Sequence, residues 1–277
     1  FYDWLQGFCF PVHALRMYYL IGRDEGYLRL LQQTLRDFDE YLWRYRDSAG
    51  SGCLEVWCTW DTAEDNSERF LRYGAKDGGF GGEDAPVGIG RLPYRSMDMM
   101  GYSCQARQTL GEICDLLGEP GGDEWRAKAQ AVRDKVRDYL WIDEKDACYD
   151  RDCEGGFMDV LIHNNLRCMY YGVFSQDMAD RFVRSHLLNP EEFWTYVPLP
   201  SIAVNDPCFR NINFNNWSGQ PQGLTYQRAI LTLQNYGHHA EIRLLGRKWL
   251  RLLNRTGRLV QQYDPFDGTP CATRAEG

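Results

Sequence analysis

Fourteen residues, Trp57-Cys-Thr-Trp-Asp-Thr-Ala-Glu-Asp-Asn-Ser-Glu-Arg-Phe70, hold two tryptophans, four carboxylates, an amide and an arginine. Asp61, Glu64 and Asp65 crowd together in this run. Like charges at short range raise one another's proton affinity. A carboxyl that keeps its proton near neutral pH is what general acid catalysis requires. The competing reading is an acidic helix start, with Asp65 or Asn66 as its cap.

A second run, Asn213-Phe-Asn-Asn-Trp-Ser-Gly-Gln-Pro-Gln-Gly-Leu-Thr-Tyr226, mixes amides with Trp217. Amides offer both donors and acceptors, and an indole offers a stacking plane. Together they suit a neutral, polyhydroxylated ligand, although a capped helix start over a buried Trp fits as well. A third run, Leu259-Val-Gln-Gln-Tyr-Asp-Pro-Phe-Asp-Gly-Thr-Pro270, reads as a strand and a turn, because Asp-Pro and Asp-Gly are ordinary turn dipeptides. Asp150-Arg-Asp-Cys-Glu-Gly155 begins like a calcium loop, but Leu161 stands where the loop needs Glu. The five histidines (13, 163, 186, 238 and 239) form no zinc motif or triad pattern, and no phosphate loop or dinucleotide fingerprint is present.

Composition narrows the classes. A net charge of −8 argues against a nucleic-acid partner. Nine Trp and 17 Tyr in 277 residues fit either a large aromatic core or a sugar site, where pyranose faces stack on rings. The ten cysteines are scattered, with four residues between Cys53 and Cys58 and between Cys148 and Cys153 and no matching His. They read as free buried thiols in a reducing compartment, hence a cytoplasmic location. No metal or organic cofactor is expected, and no apolar run is long enough to span a membrane.

Helices position these runs. Apolar residues recur at helical spacing near 11–21, 24–47, 96–118, 123–142, 160–172, 175–187, 219–236 and 238–253, several ending at Gly22, Gly118, Gly237 or Gly257. Residues 147–160 read as a β-hairpin. Residues 48–95, with the glycine-rich 74–82, form the longest irregular segment. Paired helices joined by long loops predict an all-α toroid of helical hairpins. The chain reads as a single domain over 1–277. Fewer helices are visible than six pairs require, so a fragment lacking terminal helices is the expectation.

In order along the chain, these segments resemble glycoside hydrolase family 63 and its mannosylglycerate hydrolase-like relatives, with trehalases more distant. Gln6-Gly-Phe-Cys-Phe-Pro-Val-His-Ala14 resembles the family's Gln-Pro-Pro-x-x-Ala. Thr62-Ala-Glu-Asp-Asn-Ser-Glu-Arg69 resembles Ser-Gly-x-Asp-Asn-Ser-Pro-Arg. Ser96-Met-Asp-Met99 looks like the start of the next barrel helix, and Phe193-Trp-Thr-Tyr-Val-Pro-Leu-Pro-Ser201 like the loop before Tyr-Trp-Arg-Gly-Pro, here Asn216-Trp-Ser-Gly-Gln. Gln261-Gln-Tyr-Asp-Pro-Phe-Asp-Gly268 resembles Glu-x-Tyr-Asn-Pro-x-Thr-Gly. Trehalase signatures are not visible.

The resemblance implies an (α/α)6 barrel and an inverting α-glycosidase acting on a small α-glucoside or α-mannoside. Asp65 falls on the family's acid. Trp60, Asp61, Asn66, Arg69, Trp217 and Tyr263 would shape the site around the scissile bond, with Phe10 and Trp194 in the cavity wall. The family's base falls on Gln261, and a carboxamide takes no proton from water at neutral pH. Gln261 is then an engineered replacement, or Glu276 or Glu55 stands in, or the domain is a catalytically inactive carbohydrate binder on the same barrel. Ser218 for Arg, Gln222 for Trp and Glu68 for Pro are further departures. A lyase or epimerase is disfavoured by the lack of a basic cluster in these loops.

Overall fold

A computed structural model describes residues 10–57, 59–64, 67–71 and 92–271 of the chain. Helix α1 (Pro11–Leu20) opens with Pro at its first position, where the missing N–H and fixed φ suit a helix start. Helix α2 (Glu25–Tyr45) is capped by Asp24, whose carboxylate accepts from Tyr27 N at 2.7 Å, and buries Leu28, Leu31, Leu35 and Leu42 on one face. After strand β1 (Glu55–Val56), a 3-10 turn (Thr59–Thr62) and the short helix α3 (Glu68–Leu71), strand β2 (Tyr94–Arg95) pairs antiparallel with β1.

Helix α4 (Met97–Leu117), capped by Ser96, is buried nearly all round, so it runs through the core rather than along its surface. It packs against α1, α2 and α5 (Gly122–Tyr139). The α4–α5 approach depends on facing glycines. A Cβ on Gly111 would sit 3.1 Å from the Gly122 carbonyl, and one on Gly122 3.2 Å from the Gly111 carbonyl.

Strands β3 (Trp141–Ile142) and β4 (Ala147–Cys148) follow as a hairpin. Helix α6 (Asn164–Tyr170) is wholly buried between α4 and α8 (Gly223–Asn235), and α8 pairs with α9 (His239–Thr256). Helix α7 (Gln176–Phe182) runs on into one π-helical turn, Val183–Leu187. Strands β5 (Gln262–Tyr263) and β6 (Pro270–Cys271) close the described chain.

The all-α expectation holds, and most helix boundaries fall close to those expected. The helix read over 123–142 ends at Tyr139, because Trp141–Ile142 turn extended to pair as β3. Three further differences stand. The segment read as a helix over 160–172 is extended as far as Ile162, which bridges to Ile202, and turns helical only at Asn164. The helix read from 219 starts at Gly223, because Gln222 bridges to Gln262. The hairpin read at 147–160 is instead built by Ala147–Cys148 pairing back to Trp141–Ile142. Among the later residues Arg151 bridges to Arg95 and to Phe157, the latter around a turn closed by Asp152 Oδ1 accepting from Glu154 N (3.0 Å) and Gly156 N (2.8 Å). The glycine-rich 74–82 lies outside the described residues.

Candidate active site

The loop after α2 is locked from beneath. Arg46, the first residue past the helix, is fully buried, lies 2.7 Å from Asp61 Oδ2 and stacks on Trp57 with 4.3 Å to the ring centroid. Asp61 Oδ2 also accepts from Trp57 N at 2.7 Å. Asp61 therefore ties the 3-10 turn to the end of α2, and it is 1% exposed. Glu55 is equally committed. Its Oε2 accepts from Ser48 N (3.0 Å) and Trp57 Nε1 (3.3 Å), and its side chain is wholly buried.

Arg69 on α3 is a buried hub. Its Nη1 reaches Glu64 Oε2 at 2.5 Å and Asp98 Oδ2 at 3.0 Å, and its Nε and Nη2 both bond Asp150 Oδ2, the former at 3.0 Å. Arg167 on α6 lies 3.4 Å from Glu64 Oε1 and 3.4 Å from Asp98 Oδ1. Asn164 Nδ2 donates to Asp98 Oδ2 at 2.6 Å, and His163 Nε2 is 3.3 Å from Glu64 Oε1.

Burial alone would push the Glu64 carboxyl up, but the Arg167 and Arg69 guanidiniums hold it well below the usual carboxylate range. Asp150 is pushed up by burial, with Asp98 adding to this against Arg69. Burial lowers the proton affinity of His163 despite the pull of Glu64. Three carboxylates and two guanidiniums thus brace the segment on both sides of residues 65–66.

The second wall is the Trp217 turn. Trp217 packs edge-on to His163 (centroids 5.9 Å apart) and beneath Arg167 (5.8 Å). Ser67 Oγ donates to the Trp217 carbonyl at 3.1 Å, and Glu68 N donates to Ser218 Oγ at 2.8 Å. The next residue must be glycine, because a Cβ on Gly219 would overlap the Arg210 carbonyl. The third wall joins through amides. Asn215 N donates to Gln262 Oε1 (2.7 Å), Gln262 Nε2 to the Asn216 carbonyl (3.1 Å), and Gln261 Nε2 to Asn215 Oδ1 (3.0 Å).

The three runs singled out in the sequence are therefore brought together, with Arg69, Trp217 and Gln261 on neighbouring segments. Asp65 and Asn66 lie outside the described residues, as do Glu276 and the side chain of Trp60. Tyr263 is fully buried. Its hydroxyl donates to the Arg258 carbonyl (2.8 Å) and accepts from Val260 N (3.0 Å), while its ring meets Trp249 edge-on. Phe10 is half exposed, in a cleft of about 210 Å³ with His13, Tyr170 and Leu224. Trp194 packs instead against α9, with Lys248 Nζ 5.4 Å from its ring centroid.

Sequence reasoning gave no site role to Asp98, Asp150, His163 or Arg167. The first had a signal, a carboxylate flanked by Met97, Met99 and Met100 in an apolar helix. His163 and Arg167 lie four residues apart at the start of a buried helix, which puts them on one face. Among the described residues, no group of three or more His, Cys, Asp or Glu side chains could hold a metal ion, and no helix is long and apolar enough to cross a membrane.

Residues 5–275 match the family model for the mannosylglycerate hydrolase MGH1-like glycoside hydrolase domain. A family 63 mannosylglycerate hydrolase from Thermus thermophilus in complex with glucose superposes with a TM-score of 0.77 at 18% identity, over 99% of this chain and 74% of that chain. The complex with Tris gives 0.77 at 17% identity, over 99% and 75%. Neutral trehalase from Saccharomyces cerevisiae gives 0.61 at 14% identity, over 94% and 46%. The fold is that of the (α/α)6-barrel glycosidases.

Proposed function

Because the chain belongs to the mannosylglycerate hydrolase MGH1-like glycoside hydrolases, we propose that it hydrolyses a small α-glucoside or α-mannoside with inversion, using Asp65 as the general acid. The observation that supports this reading is the clasp between Ser67-Glu68, which follow Asp65 closely in sequence, and Trp217-Ser218, in the turn that contacts Gln261. Asp65 would protonate the leaving oxygen while water attacks the opposite face of the sugar. Inverting enzymes separate the two carboxyls by about 6.5–9.5 Å to admit that water. Amides at 215, 216, 222, 261 and 262 beside an indole suit a neutral sugar, and the Thermus enzyme has been seen with glucose.

Gln261 stands where the base is expected. An amide takes no proton from water, so turnover is expected to be slow, by roughly 10²–10⁴-fold relative to a carboxylate-assisted reaction. The test is hydrolysis of aryl α-glucosides and α-mannosides by the protein and by Asp65→Asn, with the first-formed anomer followed by proton NMR. Release of the β-anomer, lost on the substitution, is expected. Release of the α-anomer, or an unchanged rate in Asp65→Asn, would sink the reading.

A further inference from the structure

Position 261 sits among hydrogen-bond partners whose direction is fixed. Asn215 Oδ1 accepts from Trp217 Nε1 at 3.3 Å, and an indole N–H only donates. Asn215 must therefore turn its oxygen toward the indole, and the same oxygen lies 3.0 Å from Gln261 Nε2. Gln222 is fixed from its other end. Its Nε2 donates to the Asn216 carbonyl at 3.4 Å, an acceptor only, which leaves Gln222 Oε1 facing Gln261 Nε2, also at 3.4 Å. Two carbonyl oxygens thus converge on residue 261, and an NH2 group carries two protons to meet them. Gln222 is 1% exposed, so water cannot readily take over its half of the arrangement. Gln261 itself is exposed, and its Oε1 accepts no hydrogen bond among the described residues.

The departures from the family motifs quoted above support the same conclusion. Glu68 stands for Pro and supplies the N–H that Ser218, standing for Arg, accepts at 2.8 Å. Gln261 stands for Glu and donates to Gln222, standing for Trp. Four departures therefore meet in two complementary contacts, which describes a rebuilt pocket rather than an eroded one.

We infer that Asn215, Gln222 and Gln261 form a hydroxyl-reading subsite for a neutral sugar, fixed by Trp217 in a polarity that takes an amide at 261 and excludes a carboxylate. The sugar hydroxyl donates to Gln261 Oε1 while the amide nitrogen stays held from behind. The identity of the ligand rests on the glycosidase reading, but the polarity of position 261 does not. A carboxylate introduced there would face two carbonyl oxygens and hold its proton, so Gln261→Glu installs no base.

The test uses Gln261→Glu. The introduced carboxyl is titrated by carbon NMR, glucose and mannose are titrated calorimetrically into wild type and the variant, and aryl-glycoside hydrolysis is measured. The carboxyl is expected to titrate above the usual glutamate value of about 4.3. Sugar affinity of the variant is expected to fall about tenfold at pH 7, with no gain in hydrolysis. An ordinary or lowered titration in the variant overturns the inference, as does a gain in turnover of roughly 10²-fold or more, the size of a restored base. Failure of wild type to bind either sugar overturns the subsite. Sugar binding that weakens in Gln261→Glu, with hydrolysis by neither form, supports the subsite and removes the glycosidase reading alone.

Discussion

Arg69→Met is expected to destabilise the protein strongly and in a pH-dependent way. The substitution keeps the length of the side chain and removes a guanidinium that bonds Glu64, Asp98 and Asp150, all four side chains being at most 3% exposed. Arg167 remains beside Glu64 and Asp98, but Asp150 loses its guanidinium partner. Removing one partner of a buried ion pair costs about 3–5 kcal/mol, because a charge is left buried without compensation. At about 2–4 °C per kcal/mol for a domain approaching this size, Tm should fall by roughly 10 °C.

The sign of the pH dependence follows from Asp150. Its folded proton affinity is already raised by burial, with Arg69 pulling it back. Without Arg69 it rises further, and a group with a raised folded value stabilises below its unfolded value and loses that contribution as pH rises through the folded one. The deficit of Arg69→Met should therefore be smaller near about pH 4–5 and full by about pH 8. Denaturant unfolding at pH 5 and pH 8 measures it. A deficit below about 1 kcal/mol, equal at both pH values, would refute the hub.

Gly219→Ala should cost more than Ser218→Ala, because the new methyl overlaps the Arg210 backbone and displaces the Trp217 turn; thermal melts and sugar titration of both variants compare them. Ser218→Ala strands Glu68 N and should cost about 1 kcal/mol in denaturant unfolding. His186 bonds Glu192 at 2.6 Å and the Lys145 carbonyl at 2.6 Å; burial opposes its charge, yet these partners raise its proton affinity overall. Its stabilisation is complete below about pH 6.5 and lost as pH rises through the folded value, so His186→Gln should flatten the slope of Tm between about pH 6 and 8.

Helices such as α2 and α5 are legible in the sequence because they bury a stripe at helical spacing, Leu28, Leu31, Leu35 and Leu42 on α2 and Ala129, Val132 and Val136 on α5. Helix α6 reads too long because Val160, Leu161 and Ile162 are buried in extended backbone, and a continuous apolar run does not distinguish strand from helix. The three chemical runs are legible from their unusual residue types. Their bracing is not, because Glu64, Asp98, Asp150 and Arg167 meet only across the fold, and local spacing carries no record of such partners. Tyr263 and Asp61 show the converse. Each has the residue type of a ligand contact, yet each is committed to neighbouring backbone or to Arg46.

The clasp of Ser67 and Glu68 on Trp217 and Ser218 joins positions 150 residues apart in the chain. Closing so long a loop carries an entropic penalty that the hairpins α1–α2, α4–α5 and α8–α9 avoid, since each assembles from neighbouring sequence. During refolding, helical structure is then expected to return well before the pocket does. The proposed site depends on such a long-range closure, so a chain arrested before it would carry helices and no working pocket.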